Sequence, residues 1–168
     1  MTLSMHQASA PIFLRALKGL STVLSKAAAH AEAKGFEPAA LLQARLYPDM
    51  FPLTRQVQLA CDFGARAAAR LAGDTPRSFP DTETSFAELL ARIADVRAYM
   101  ASFPVTAYAG AEVREVTIKA RGQDMTMTGL AFLTLYALPQ FHFHATTAYN
   151  VLRHNGVDLG KMDYMGAV

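Results

Sequence analysis

Apolar residues in this chain recur at alternating intervals of four and three, and only one stretch departs from that rhythm. Phe13, Leu17, Leu20, Leu24, Ala27 and Ala31 form the first run, in a segment from about Ser4 to Lys34. This spacing places all six on one side of a helix, as in a bundle seam. Pro11 either starts that helix or kinks it. Lys34 followed by Gly35 is a stop signal: a cation in the last turn, then a residue that tolerates left-handed geometry. The connection FEPAALLQARLYPDMF predicts a short helix from Pro38 to near Leu46, broken at Tyr47-Pro48-Asp49 because the residue before a proline avoids helical angles. Pro52 opens the second long helix, which ends at Gly73. Its seam of Leu53, Val57, Ala60, Gly64, Ala67 and Leu71 is small enough for a neighbour to approach closely.

The loop GDTPRSFPDTET leads to the third long helix, where Ser85 and Glu88 have the spacing of a capping box. Phe86, Leu89, Ile93, Val96, Met100 and Phe103 supply its seam, Glu88 and Arg92 read as an i,i+4 pair on its outer surface, and Pro104 ends it. Between Val105 and Thr128 the period drops to two. Glu115–Lys119 and Asp124–Thr128 alternate around Arg121-Gly122 and predict a hairpin, with Val116 and Ile118 facing the same way as Met125 and Met127. A fourth helix runs from about Gly129 to Asn155, and the tail VDLGKMDYMGAV reads as an extended strap. No repeat or interdomain linker interrupts residues 1–168. The fold class is therefore all-α: one domain, an up-down four-helix bundle with a small β-hairpin between its third and fourth helices.

Composition narrows the function classes. The 168 residues are 52% apolar and 18% charged, with a net charge of +2 and no Lys/Arg block. That argues against a nucleic-acid partner. The single cysteine, Cys61, excludes an internal disulfide framework and fits a reducing, cytoplasmic compartment. The N-terminus lacks the basic and apolar regions of a secretory signal. Leu130–Leu152 carries no charge, but Thr134, Gln140, His142, His144, Thr146, Thr147 and Asn150 would lie at bilayer depth, which argues against a membrane span.

Candidate chemistry centres on that fourth helix. At about 100° per residue, Leu130, Leu133, Ala137, Phe141, His144, Ala148 and Val151 share one stripe, and His142 points about 160° away from His144. The two imidazoles do not converge on one ion, so no metal site is predicted. Pro139 removes the hydrogen bond to the Leu135 carbonyl and bends the helix. His144 is read either as a core histidine satisfied by a neighbouring helix or as the centre of a polar pocket. Gln140 lies one turn earlier, and Asp49, Arg55 and Gln56 are the candidate partners. His142 and Tyr149 are assigned to a homodimer face. Nucleophile elbows, phosphate loops and zinc-helix motifs are absent. The apolar helix faces read as free of Asp and Glu, so no carboxylate pair is proposed.

The segments LSMHQASAPIFLRALKGLS, RLYPDMFPLTRQVQLA and ALPQFHFHATTAYNVLRHNGVDLGK resemble an uncharacterised bacterial family within the DinB/YfiT-like superfamily. The resemblance covers essentially the whole chain and implies a four-helix bundle, commonly a homodimer. Many such proteins bind a divalent metal through one histidine on the second helix and two on the fourth, and some act as thiol-dependent transferases or hydrolases. Here His144 matches one fourth-helix histidine. Its i−4 and i+4 neighbours are Gln140 and Ala148, and the second helix has no histidine, so the triad is incomplete. Two readings follow: a metal-free bundle protein that binds a small molecule or partner near the fourth helix, or a metal-dependent thiol transferase or hydrolase.

Overall fold

The computed structural model describes residues 3–120 and 122–166. It is mostly helical, with one two-stranded antiparallel hairpin. Helix α1 spans Ala10–Lys34, with Pro11 in its first turn, and Gly35 closes it at φ 69° with its amide and the next one bonded back to the last turn. Of the two roles open to Pro11, the structure selects the start; residues before it form a turn. The short α2 covers Ala39–Leu42, and α3 covers Leu53–Ala72. Helix α4, Phe86–Ala101, begins with the capping box: Ser85 accepts from the Glu88 amide while the Glu88 carboxylate accepts from the Ser85 amide.

Strands β1 (Glu115–Ala120) and β2 (Gln123–Thr128) pair with Val116 opposite Met127 and Ile118 opposite Met125. The predicted side of the hairpin faces inward: Val116 and Ile118 are buried, whereas Met125, the methionine nearer the turn, is half exposed. Arg121, assigned to the turn from sequence, lies outside the described residues.

The last long helix, α5, spans residues 129–154 and is not uniform. Gly129–Ala131 starts it, Phe132–Ala137 is a π-helical stretch, and Leu138–His154 continues as α-helix. In a regular turn the Pro139 ring would press against the Leu135 carbonyl, and the wider turn just before it relieves that crowding. The wider turn also breaks the angular count. Leu133, Ala137, Phe141, His144, Ala148 and Val151 are buried on one stripe, but Leu130, counted with them from sequence, is 50% exposed.

Helix α3 packs on α4 and α5, and α1 packs on α4 and α5. The seams predicted for α1 and α3 are buried throughout, and the α4 seam is buried up to Met100. Gly64 permits one close approach: a Cβ there would already touch the Phe141 ring at 3.4 Å and the Met100 sulfur at 3.5 Å.

The C-terminal segment departs from the expected strap. After an extended stretch, Lys161–Met165 forms a short helix, α6, against α1. Lys26 pairs with Asp163 at 2.7 Å, Arg15 donates to the Met165 carbonyl at 3.1 Å, and Gly19 admits the tail backbone. A Cβ on Gly19 would stand 2.1 Å from the Tyr164 carbonyl oxygen, so Gly19→Ala must push α6 away. The expected cost is roughly 1–3 kcal/mol. Faster hydrogen exchange across residues 161–165 with α4 unchanged would show it, and unchanged exchange there would contradict it.

Candidate functional site

His144 stands on the buried stripe of α5, facing the first turns of α3. Its Nδ1 lies 2.7 Å from Gln56 Oε1, and Gln56 Nε2 donates to the Phe51 carbonyl at 3.2 Å. A backbone carbonyl can only accept, so the Gln56 amide must present its NH2 to Phe51 and its oxygen to the imidazole. An amide oxygen can only accept as well, so Nδ1 carries the proton. Nε2 is left as an unprotonated acceptor, with no hydrogen-bond partner among the described residues.

Aromatic side chains frame the imidazole. Phe63 stacks on it at 5.5 Å and 9°, and Phe143 meets it edge-on at 5.2 Å. Burial, assisted by the Arg55 charge, pushes the His144 pKa down to about 4, so the ring is neutral at physiological pH.

The other sequence candidates divide. Arg55 sits beside the site but is held by Asp81 and by Gln58. Gln140 is half-buried and makes no hydrogen bond among the described residues. Asp49 is exposed in the loop before α3 and does not join His144, because the Tyr47–Phe51 turn carries it outward. His142 and Tyr149, assigned to a partner copy, instead meet the chain's own tail. Tyr164 places its hydroxyl 3.2 Å from His142 Nδ1 and its ring 5.9 Å from that of Tyr149, whose own hydroxyl donates to the Leu159 carbonyl.

An ion cluster that no sequence motif marks lies along α3. Arg92 is buried rather than paired with Glu88 on the surface, since Glu88 is committed to its cap. The Arg92 guanidinium reaches Asp62 at 2.7 Å, Asp81 at 3.0 Å, Glu83 at 2.9 Å and the Pro80 carbonyl at 2.7 Å. Asp62 is itself buried on α3, correcting the expectation of helix faces free of carboxylates, and it also holds Arg66 at 2.7 Å. The signal available in sequence was the acidic loop before α4, with Glu83 9 residues ahead of Arg92. Cys61 is fully buried beside this cluster. Burial pushes its thiol up to about 12, the nearby Arg92 only partly opposing this, so it is not a nucleophile at neutral pH.

These residues also answer whether the superfamily's metal triad fits. The side chain that the second long helix presents to His144 is Gln56, whose oxygen is already used by Nδ1–H, and that helix carries no histidine. One imidazole and neutral amides are a poor donor set for a divalent transition metal. The nearby carboxylate of Asp62 is taken up by Arg92 and Arg66. The residues present do not fit the triad.

This helical fold with its hairpin is shared with a DinB-like protein of known structure. A crystal structure described as a DinB family member protein from Shewanella denitrificans, at 1.83 Å resolution, is 41% identical. The match covers 98% of this chain and 93% of that one, with a TM-score of 0.91. The chain matches the family described as "Domain of unknown function (DUF1993)" over residues 5–165, and it belongs to that family. No curated protein matches it. No helix among the described residues is long and apolar enough to cross a membrane.

The depressed His144 pKa has a definite sign. Between its ordinary 6.5 and about 4, the unfolded chain takes up a proton that the folded chain refuses. Stability is therefore lost as pH falls through that window and levels off below it. His142 is lowered in the same direction by burial, so the measurement must be a difference. Urea midpoints for wild type and His144→Gln, compared at about pH 7 and about pH 4.5, isolate His144. Wild type should lose more stability than the variant; parallel losses would exclude the shift.

Proposed function

We propose that this domain is a metal-free binding protein whose ligand donates a hydrogen bond to Nε2 of His144 and packs against Phe63 and Phe143. The supporting observation is the clamp from the Phe51 carbonyl through Gln56 to Nδ1. It holds a neutral imidazole in one tautomer with its acceptor nitrogen free, and preorganisation of this kind lowers the cost of binding. A small neutral molecule with one N–H or O–H donor and an apolar body matches these groups. The up-down four-helix bundle expected from sequence is part of the same reading, supported by the adjacency of α1 and α3 to both α4 and α5. A cytoplasmic location fits the buried free cysteine.

Nitrogen-15 spectra of the imidazole should show the Nδ1–H tautomer, relaxing toward the Nε2–H form in Gln56→Ala. Ligand-observed NMR with neutral amide and alcohol fragments should find binders of wild type that fail on His144→Phe. Fragments that bind both proteins equally would refute the reading. Stoichiometric zinc or nickel binding abolished in His144→Ala would favour the metal-dependent alternative instead.

We further propose that the homodimer forms through the outer strip of α5 rather than through His142 and Tyr149. Leu135 and Phe143 are 76% and 57% exposed on a helix without charge from Leu130 to Leu152. In a two-fold pair each strip meets its own copy, and an uncharged apolar strip matches itself without like-charge repulsion. Light scattering should give about twice the 18.2 kDa chain mass, reverting to one chain in Leu135→Glu. A wild-type monomer at micromolar concentration would exclude the pairing.

A further inference from the structure

Helix α3 carries a second set of groups, on the side facing the hairpin. Phe63, Arg66, Arg70, Ile118, Lys119 and Tyr136 enclose a cavity of about 210 Å³. Its walls hold three cations and no carboxylate. Arg66 is answered by Asp62, but among the described residues neither Arg70 nor Lys119 has an ion-pair partner. Asp124 opposes Lys119 in the hairpin register without forming a pair. Arg70 is half-buried in the last turn of α3, where the helix end offers only a fractional counter-charge. Burial lowers its pKa, helped by the field of Arg66 one turn away.

The remaining walls are aromatic or apolar. Tyr136 meets Phe63 edge-on at 6.0 Å and stacks on Phe132 at 5.9 Å, and the Arg70 guanidinium lies 6.0 Å over the Phe132 ring. A half-buried Arg70 and an exposed Lys119, neither with an ion-pair partner among the described residues, line one cavity beside aromatic rings, a lining complementary to a negative charge on a flat body.

We propose that this cavity between α3 and the hairpin binds a small organic anion, its carboxylate or phosphate between Arg70 and Lys119 and its planar part against Tyr136 and Phe63. The inference does not rest on the reading of His144, whose probes are neutral.

Calorimetric or NMR titration of the whole chain with phenyl phosphate and with benzoate tests it, and the two arms distinguish phosphate from carboxylate. At least one should bind one per chain and weaken with added salt. Arg70→Gln and Lys119→Gln should each weaken binding by roughly tenfold or more, while Lys18→Gln on the far exposed surface of α1 changes nothing. Lys119 is an exposed strand residue, so its variant keeps the test valid if Arg70→Gln folds poorly. Four results would overturn the proposal: neither aromatic anion binding at about 10 mM; Lys119→Gln, or a folded Arg70→Gln, binding as wild type does; uncharged benzamide binding equally well; or inorganic phosphate matching phenyl phosphate.

Discussion

The buried guanidinium of Arg92 is the constraint on which the order of this fold depends. It rises from α4 into the space beside α3 and gathers Asp62, Asp81 and Glu83 around it. Those carboxylates are shared outward: Asp62 with Arg66, Asp81 with Arg55, and Glu83 with Gln58. Three arginines thus meet three acids, and the loop before α4 is tied to the first half of α3. A buried ion network of this kind adds little net stability over apolar packing, because desolvation offsets much of the attraction. Its consequence here is positional. A hydrophobic substitute would fill the volume without selecting which loop residues face α3.

That positioning reaches the histidine. Arg55 and Gln58, both fastened to the acidic loop, flank Gln56 on α3. Gln56 in turn is fixed by the Phe51 carbonyl on one side and orients His144 on the other. Among the described residues, the imidazole itself meets only a neutral amide and aromatic rings. Cys61 is silenced by its own surroundings: it is close to a cation, yet so deeply buried that the thiolate is disfavoured. The proposed function of the site therefore rests on a neutral hydrogen-bond acceptor and not on a nucleophile.

The rings beside His144 connect the two halves of α3. Phe63 stacks on the imidazole and touches Tyr136, Tyr136 stacks on Phe132, and Arg70 lies over Phe132. The π-helical stretch of α5 carries both Phe132 and Tyr136, so the widened turn before Pro139 presents these rings to α3. Pro139 was legible from sequence as a bend, but the wider turn was not, because periodicity assumes a constant angle per residue.

The sequence by itself determined the long helices, most of their seams, the capping box, the residues that share a face of the hairpin and the inward side of His144. Each of these follows from local rules: spacing that matches a helical or strand period, and caps that satisfy nearby amides. It also determined that no complete histidine triad is present, since that is a matter of counting ligands. Only the tertiary structure decided where Arg92 points, that Asp62 is buried, that Tyr164 of α6 meets His142 and Tyr149, and that Asp49 stays outside the site while Gln56 enters it. Those outcomes depend on pairing between charges and surfaces far apart in the chain. An i,i+4 spacing such as Glu88 and Arg92 shows only that a local pair is geometrically possible. A buried guanidinium goes instead to the set of partners that best repays its lost hydration, and three carboxylates and a carbonyl outcompete one exposed glutamate already bound to its own helix cap.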